Sequence, residues 1–296
     1  MIVVTAPTGH IGSRVLTELL KFDEPVRVIV RDASRLPDDV RSGVEIVEGS
    51  HRNKDVVDRA FVDADAVFWL LPADPNATSI YQTYVGDSIP AADAIVANRV
   101  PRVVVVSALG RGTQIYGGHV AASLAMEDLF RSTGAHVRAL ACPSFMDNVE
   151  RQTADIDERG VLAGNMPADR KLPTVATRDI ADVAVRLLSD HTWAGQNTVD
   201  VPGPEDLSGD DKAAILTDVL GRPIRYERGD RSTDKATFVG YGMSDAVAQA
   251  LVDMDTAKEN GLDGLATRTS DVSTPTTFRQ WATDVLAPAI TKASAR

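Results

Sequence analysis

The sequence predicts an α/β fold built on a doubly wound parallel sheet, and three observations carry that prediction. Short apolar runs of strand length recur at 2–4, 26–30, 44–47, 66–71 and 102–106. The segments between them carry helical spacing, and alternating strands and helices build parallel sheets. A glycine-bearing turn, Thr5-Ala6-Pro7-Thr8-Gly9-His10-Ile11-Gly12, joins the first strand to the first helix.

The helix after that turn places Ile11, Val15, Leu16, Leu19 and Leu20 on one face, the spacing of a helix and not of a strand. Strand, glycine turn and helix together form the phosphate-binding unit of a Rossmann-type dinucleotide fold. A helix N-terminus presents free N–H groups and a positive dipole end, which favour a pyrophosphate. Gly9 admits close approach of a ligand, and Gly12 admits close packing of helix on strand. Ala6 stands where the usual G-x-x-G-x-x-G pattern has its first glycine, and Pro7 donates no N–H. The competing reading is a plain strand-to-helix turn of another α/β protein.

The second strand, Val26–Val30, leads into Arg31-Asp32-Ala33-Ser34-Arg35. An acidic residue at this point holds the ribose 2′-hydroxyl of NAD, whereas an arginine pairs with the 2′-phosphate of NADP. Arg31 lies 19 residues after Gly12, and Ser34 and Arg35 offer a hydroxyl and a second charge. The alternative leaves Arg31 solvated and gives the ribose to Asp32. A third strand is expected at 44–47 and a helix at about 55–61. The fourth strand, 66–71, is almost continuously apolar, as in a central strand covered on both faces. Leu71 and Pro72 stand at its carboxyl end, where open α/β sheets bind ligands. A helical stretch at about 78–98 is expected to kink or restart at Pro90. The fifth strand, 102–106, leads into Ser107.

The 296 residues are 44% hydrophobic and 25% charged, enough to bury a sizeable core in one large domain or a domain with a smaller lobe. The net charge of −11 disfavours binding to nucleic acid. A single cysteine, Cys142, excludes an intrachain disulfide and suits a reducing compartment. A strand beginning at Ile2 leaves no room for a signal peptide, and no apolar run approaches membrane-spanning length. The expected location is cytoplasmic. The five histidines are scattered and no metal-ligand spacing is evident.

Further motifs accompany these. Val104, Val105, Val106 and Ser107 close the fifth strand, and His119 precedes Glu127 on the next helix. Then come Pro143-Ser144-Phe145-Met146-Asp147-Asn148, the Thr177–Ala184 stretch with Asp179-Ile180-Ala181, Val199–Gly203, and Leu220-Gly221-Arg222-Pro223-Ile224. With Thr8, Gly9, Gly12 and Arg31 they resemble, in order and spacing, the NmrA-like atypical short-chain dehydrogenase/reductases. That group includes NAD(P)H:quinone oxidoreductases and isoflavone-reductase-like enzymes. The resemblance spans most of the chain. It implies NADP binding by Thr8, Gly9, His10 and Ile11, by Arg31, by Leu71 and Pro72, by Ser107, and by the Pro143–Phe145 turn beside the nicotinamide. It also implies a dinucleotide domain at 1–145, rejoined by 175–205, and a mainly substrate-binding lobe at 146–296.

Departures from the family bear on mechanism. Ordinary short-chain dehydrogenases use Tyr-x-x-x-Lys, in which lysine lowers the tyrosine pKa. Here Tyr116 is followed four residues on by Val120. The lysine that many relatives carry four residues before the helix glutamate is Ser123. Ser50 and Cys142 replace a frequent aspartate and a frequent arginine. The remaining candidates for proton donation are His119 and Tyr116, with Ser107 as a hydrogen-bond donor to substrate. His119 reads equally as a capping or packing residue, and Ser107 as one that satisfies the strand end. Trp69, Trp193 and Cys142 read as packing, and the acids 205–211 as a solvated turn and helix start.

The expected function is hydride transfer from NADPH to a small quinonoid, aromatic or carbonyl compound, an easily reduced acceptor needing least help from a protein acid. An isomerase or a natural-product tailoring enzyme falls under the same expectation. The alternative is an NADP-sensing regulatory protein that turns nothing over and acts through a protein partner. A monomer and a homodimer both suit the sequence.

Overall fold

The computed structural model describes residues 1–22, 24–270, 272 and 274–294. The first half runs β1 (Ile2–Val4), α1 (His10–Leu19), β2 (Val26–Val30), α2 (Asp38–Ser42), β3 (Glu45–Glu48), α3 (Lys54–Ala60) and β4 (Ala66–Trp69). It continues with α4 (Ile80–Tyr84), α5 (Ile89–Asn98), β5 (Arg102–Ala108), α6 (His119–Ser132), β6 (His136–Cys142) and β7 (Ser144–Phe145). The second half holds α7 (Thr153–Arg159), β8 (Val161–Gly164), β9 (Leu172–Val175), α8 (Thr177–Ser189), β10 (Gln196–Asp200) and β11 (Asp206–Leu207). The chain ends with α9 (Gly209–Leu220), β12 (Arg225–Arg228), α10 (Asp234–Gly240), α11 (Asp245–Glu259), α12 (Phe278–Trp281) and α13 (Ala287–Ser294).

Among the described residues, seven strands form one sheet in the order β10-β6-β5-β4-β1-β2-β3. Every neighbouring pair in it is parallel. This is the doubly wound arrangement the sequence predicts. Its strand order reverses between β1 and β4, the place where such sheets bind ligands.

Period-two side-chain alternation divides the sheet between two cores. Ile2, Val4, Val28, Phe68, Val104 and Leu140 face α1 and α8 in one buried cluster. Val3, Ile29, Val67, Trp69, Val105 and Ala139 face α3, α5 and α6 in the other. A third cluster joins Met146, Ile156, Leu216, Phe278, Trp281 and Leu286 from the later elements. Two small sheets accompany it, β11-β9-β7 and β12-β8. Of the segment 146–296, residues 271, 273, 295 and 296 lie outside the described residues. No helix among the described residues is long and apolar enough to cross a membrane.

Among the boundaries that differ from the sequence reading, three have a local reason. The fourth strand stops at Trp69 and not at 71. There the Thr5 hydroxyl takes over, lying 3.0 and 3.1 Å from the Phe68 and Leu70 carbonyls and accepting from the Leu70 N–H at 2.8 Å. The third strand is displaced by one residue, to Glu45–Glu48, pairing with β2 from Arg27 to Val30. The 78–98 stretch breaks into α4, a 3-10 turn at Gly86–Ser88, and α5. Pro90 sits in the first turn of α5, where no N–H is needed.

One buried carboxylate ties several of these elements together. Glu127 of α6 is fully buried. It accepts hydrogen bonds from Ser107 Oγ at 2.9 Å, Arg131 Nε at 2.9 Å and Thr198 Oγ1 at 3.3 Å. Arg111 Nε lies 3.0 Å from its Oε1. The residue thus fastens β5, β10 and the loop after β5 to one helix. Removing one member of a buried ionic group strands the rest without compensation. Glu127→Ala is expected to lose about 3–5 kcal/mol in urea unfolding, well beyond an exposed control such as Glu158→Ala.

Candidate functional site

Because all seven strands are parallel, the turns that follow them open on one edge of the sheet. That edge collects Thr8–Gly12 after β1, Arg31, Ser34 and Arg35 after β2, and Leu71 and Pro72 after β4. It also collects Ser107 at the end of β5, Tyr116 and His119 after it, and Pro143 and Phe145 after β6.

The β1–α1 turn is shaped by two close approaches. A Cβ on Gly12 would lie 2.1 Å from the Ala6 carbonyl oxygen and 3.2 Å from that of Thr5, so only glycine fits. Ala6 has φ +49°, the left-handed conformation that glycine adopts freely. A Cβ on Gly9 would meet Ala6 O at an ordinary 3.6 Å, so the protein's own packing leaves that position open. Gly9 caps α1 without a side-chain hydrogen bond, and no acid stands in the first turn. By contrast, Asn53, Ser208, Ser244 and Thr277 cap their helices with side-chain oxygens. The first N–H groups of α1 therefore have no side-chain acceptor, the condition an anionic phosphate satisfies. Thr8 and His10 are exposed at this turn, while Ile11 is buried beneath it.

At the end of β2, Arg31 is exposed and makes no ion pair among the described residues. Asp32 is engaged, accepting from Ser34 N and Oγ at 3.0 and 2.7 Å. Those two bonds hold its carboxyl below the usual range. The Ser34 hydroxyl is therefore committed to Asp32, while Arg35 stays exposed. Beside them lie two residues the sequence reading did not single out. His51 packs edge-on to Trp69, ring centres 5.5 Å apart, and its buried Nε2 has no hydrogen-bond partner. Arg52 bonds the Pro72 carbonyl at 3.3 Å and lies 3.3 Å from Asp74 and 3.1 Å from Asp87. Arg52 thereby links the turn after β3 to the end of β4. The signal for both was the position after the third strand, which the sequence analysis marked only at Ser50.

The three proton-donor candidates fare differently. Ser107 is buried and its hydroxyl donates to Glu127, so it offers no proton to a substrate; this corrects its reading as a substrate donor. Tyr116 is 58% exposed and its phenol is pushed upward by partial desolvation and by Tyr81 and Asp253. His119 opens α6 with its ring edge-on to Tyr84, centres 5.9 Å apart, and a buried Nε2 without a partner. Burial lowers its pKa to about 4, so it is neutral near pH 7. Leu71 and Pro143 are buried, Pro72 is exposed, and Phe145 leans on the α1–α8 core. Cys142 is buried and its thiol pKa is raised strongly by desolvation, which agrees with packing.

The fold also makes a constellation that sequence spacing conceals. His10, Asp147 and Glu150 present ligand-type atoms all within 4.8 Å of one another. Asp147 accepts from Thr177 N at 2.9 Å and Thr177 Oγ1 at 2.7 Å, capping α8. His10 Nδ1 lies 3.9 Å from Asp147 Oδ1. The absence of metal-ligand spacing in the sequence thus did not mean absence of such a cluster in space. The positive end of α1 beside it opposes a bound cation.

Comparison with known proteins follows the same lines. The sequence profile of the NmrA-like family matches residues 1–281. An NAD(P)H azoreductase of Xenophilus azovorans is 29% identical over 252 residues, 85% of each chain. A (4-alkanoyl-5-oxo-2,5-dihydrofuran-3-yl)methyl phosphate reductase of Streptomyces griseus is 31% identical over 229 residues, covering 77% of this chain and 76% of that one. An NADPH-dependent quinone oxidoreductase from Escherichia coli, solved with NADPH, has the same fold, with TM-score 0.78 and 20% identity over 99% of this chain and 100% of its own.

His51 and His119 both carry pKa values lowered to about 4. Their unfolded value is near 6.5, so the unfolded chain takes the proton first. Their contribution to stability is full above about pH 6.5 and is lost as pH falls toward 4. The urea midpoint of the wild type is expected to fall across that window. A His51→Phe/His119→Phe variant is expected to show a shallower fall.

Proposed function

The chain belongs to the NmrA-like family, and we propose that it is an NAD(P)H-dependent reductase of small organic acceptors that prefers NADPH. The observation that carries the reading is the exposed, unpaired Arg31 at the end of β2, beside an Asp32 already occupied by Ser34. A guanidinium free of carboxylates suits a 2′-phosphate, and Arg35 adds positive charge nearby. The uncapped α1 N-terminus, with Thr8, Gly9, His10, Ile11 and Gly12, suits the pyrophosphate. Leu71 and Pro72 would border the cofactor at the end of β4, and Pro143 and Phe145 the nicotinamide. The reductase names of the azoreductase and the phosphate-ester reductase support the same reaction class.

NADPH, when bound, supplies the hydride. The chain's own residues hold and orient the partners and exclude water. The elements of 146–296, apart from the 175–205 stretch that gives α8 and β10 to the main sheet and its helix layer, would form the substrate lobe. There α11 and the residues just after it meet the loop after β5: a Cβ on Gly118 would lie 2.1 Å from the carbonyl oxygen of Ala250 on α11, and one on Gly110 would lie 3.0 Å from Leu262. A cleft with a neutral His119 and a committed Ser107 is poorly equipped to protonate a ketone alkoxide. Acceptors whose reduced form is stable in water, such as quinones, fit it better.

The test is NADPH absorbance over time with a panel of quinones and azo dyes. Acceptor-dependent oxidation, faster with NADPH than NADH, is expected. NADPH bound but unchanged with every acceptor would favour the cofactor-sensing role instead. Arg31→Ala is expected to weaken NADPH binding roughly 10- to 100-fold, the worth of a charge-assisted contact of about 1.5–3 kcal/mol, and to leave NADH nearly unchanged. Equal losses for both cofactors would remove the 2′-phosphate assignment.

A further inference from the structure

We infer that Lys212 and Arg170 form a binding site for an anionic group, a carboxylate, sulfonate or phosphate carried by the organic acceptor, a ligand identity that rests on the reductase reading. Positive charge is left over at the end of α11. Lys258, in the last turn of that helix, is buried, and its Nζ lies 2.6 Å from Asp263 Oδ2. That pair is neutral as a whole. Two further cations come to the same helix end without such a partner.

Lys212 stands early in α9, and its Nζ lies over the ring of the fully buried Phe278, 5.8 Å from the ring centre. It makes no hydrogen bond or ion pair among the described residues. Burial and then the charge of Lys258 lower its pKa to about 8, so it still carries its proton near pH 7. Arg170 stands in the loop between β8 and β9. Its Nε is buried without a hydrogen-bond partner, and an ideal Cβ on Gly261 would lie 3.9 Å from its Nη2. The Gly261 N–H in turn donates to the Lys258 carbonyl at 3.1 Å. The nearby carboxylates are engaged elsewhere: Asp211 with Ser208, Asp255 with Asn165, and Glu259 with Arg228. Asp263 keeps one buried oxygen without a partner, but its charge already offsets that of Lys258. Asp169 and Asp210 are exposed to water.

A cation removed from water without a counter-charge is costly, and more so beside another cation. An anionic ligand supplies the missing charge. A guanidinium and an ammonium together suit one such group, the first through two parallel N–H donors and the second as a point charge. The position suits the far end of an acceptor. Arg170 lies two residues before β9, whose Thr174 and Val175 pair with Ser144 and Phe145 at the turn assigned to the nicotinamide. Leu262, next to Gly261, packs against Val120, the residue after His119. The two cations select the acceptor by charge and take no part in hydride transfer, so their effect falls on binding.

Two measurements test the assignment. The first is calorimetric titration of the NADP⁺-saturated protein with naphthalene-2-sulfonate and with its neutral match, naphthalene-2-sulfonamide. The wild type is expected to bind the sulfonate the more tightly. Lys212→Met and Arg170→Gln should each weaken the sulfonate about 10- to 100-fold, the worth of one charge-assisted contact, and the sulfonamide much less. Lys212→Arg should retain most of the binding, and Lys171→Met, which alters an exposed lysine beside Asp211, should change nothing. The second is turnover with NADPH. Lys212→Met should raise the KM for 1,4-naphthoquinone-2-sulfonate by a similar factor, with the effect in KM and not in kcat, and move 2-methyl-1,4-naphthoquinone much less. Lys212→Met removes a buried charge and is expected to unfold at no lower urea than the wild type; if it does not fold, Arg170→Gln carries both tests. Equal losses for the charged and neutral ligands, or sulfonate binding indifferent to both substitutions, overturn the inference and leave the reductase reading intact. Inorganic phosphate that binds with the same dependence on Lys212, yet does not raise the KM for the sulfonated quinone, overturns the assignment to the acceptor. A wild type that reduces neither quinone overturns the reductase reading, and the acceptor with it.

Discussion

The close approach of α1 to the end of β1 is the constraint on which the rest of the molecule depends. The Ala6 carbonyl stands where any side chain at position 12 would have to be, 2.1 Å from an ideal Cβ. To make that turn, Ala6 is held at φ +49°, a conformation that costs a non-glycine residue about 1 kcal/mol or more. The cost is tolerated because the surrounding structure over-determines it. Thr5, one residue earlier, is fully buried and bonded to the end of β4. α1 itself packs Val15, Leu16 and Leu19 into the core it shares with α8. The turn therefore sets the direction of α1, and with it the place where free N–H groups meet the open edge of the sheet.

A second recurring device ties the later segments to that edge. Three aspartates each receive the N–H and the hydroxyl of one threonine distant in sequence: Asp147 from Thr177, Asp179 from Thr276, and Asp200 from Thr267. Each pair joins residues 30 to 97 positions apart in the chain. Two bonds to one carboxylate fix orientation as well as distance, and a bond to a charged acceptor is stronger than a neutral one. The first pair holds the 146–152 segment against α8, and the second holds the stretch before α12 against the same helix. Thr267 is thereby held to the end of β10 and Thr276 to α8.

The polar groups at this edge are divided between those spent on the fold and those left free. Ser107, Glu127, Arg111 and Arg131 saturate one another, and Asp32 and Ser34 do the same on a smaller scale. Arg31, the first turn of α1, His119 Nε2 and Glu150 Oε1 lack such partners. Buried polar groups without partners are unusual in a finished fold. That division, more than any single motif, distinguishes the residues available for ligand chemistry from those that only resemble it.

Much of this was legible in the chain itself. Alternation of apolar runs with helical spacing was enough for the doubly wound sheet, because burial on both faces demands continuous apolar strands such as Ala66–Trp69. The need for glycine at position 12 and the exposure of an arginine after the second strand were legible too, since both depend on local backbone geometry. The fate of Ser107 and the meeting of His10 with Asp147 and Glu150 were not. Each is decided by which side chain from a distant element fills the remaining hydrogen-bonding position: Glu127 is 20 residues from Ser107, and Thr177 is 30 from Asp147. The sequence by itself determined the sheet, the turn and the sign of charge beside it, because those follow from nearest neighbours along the chain. Tertiary structure alone decided which polar groups remain unpaired at the open edge, because pairing depends on distances that only folding creates.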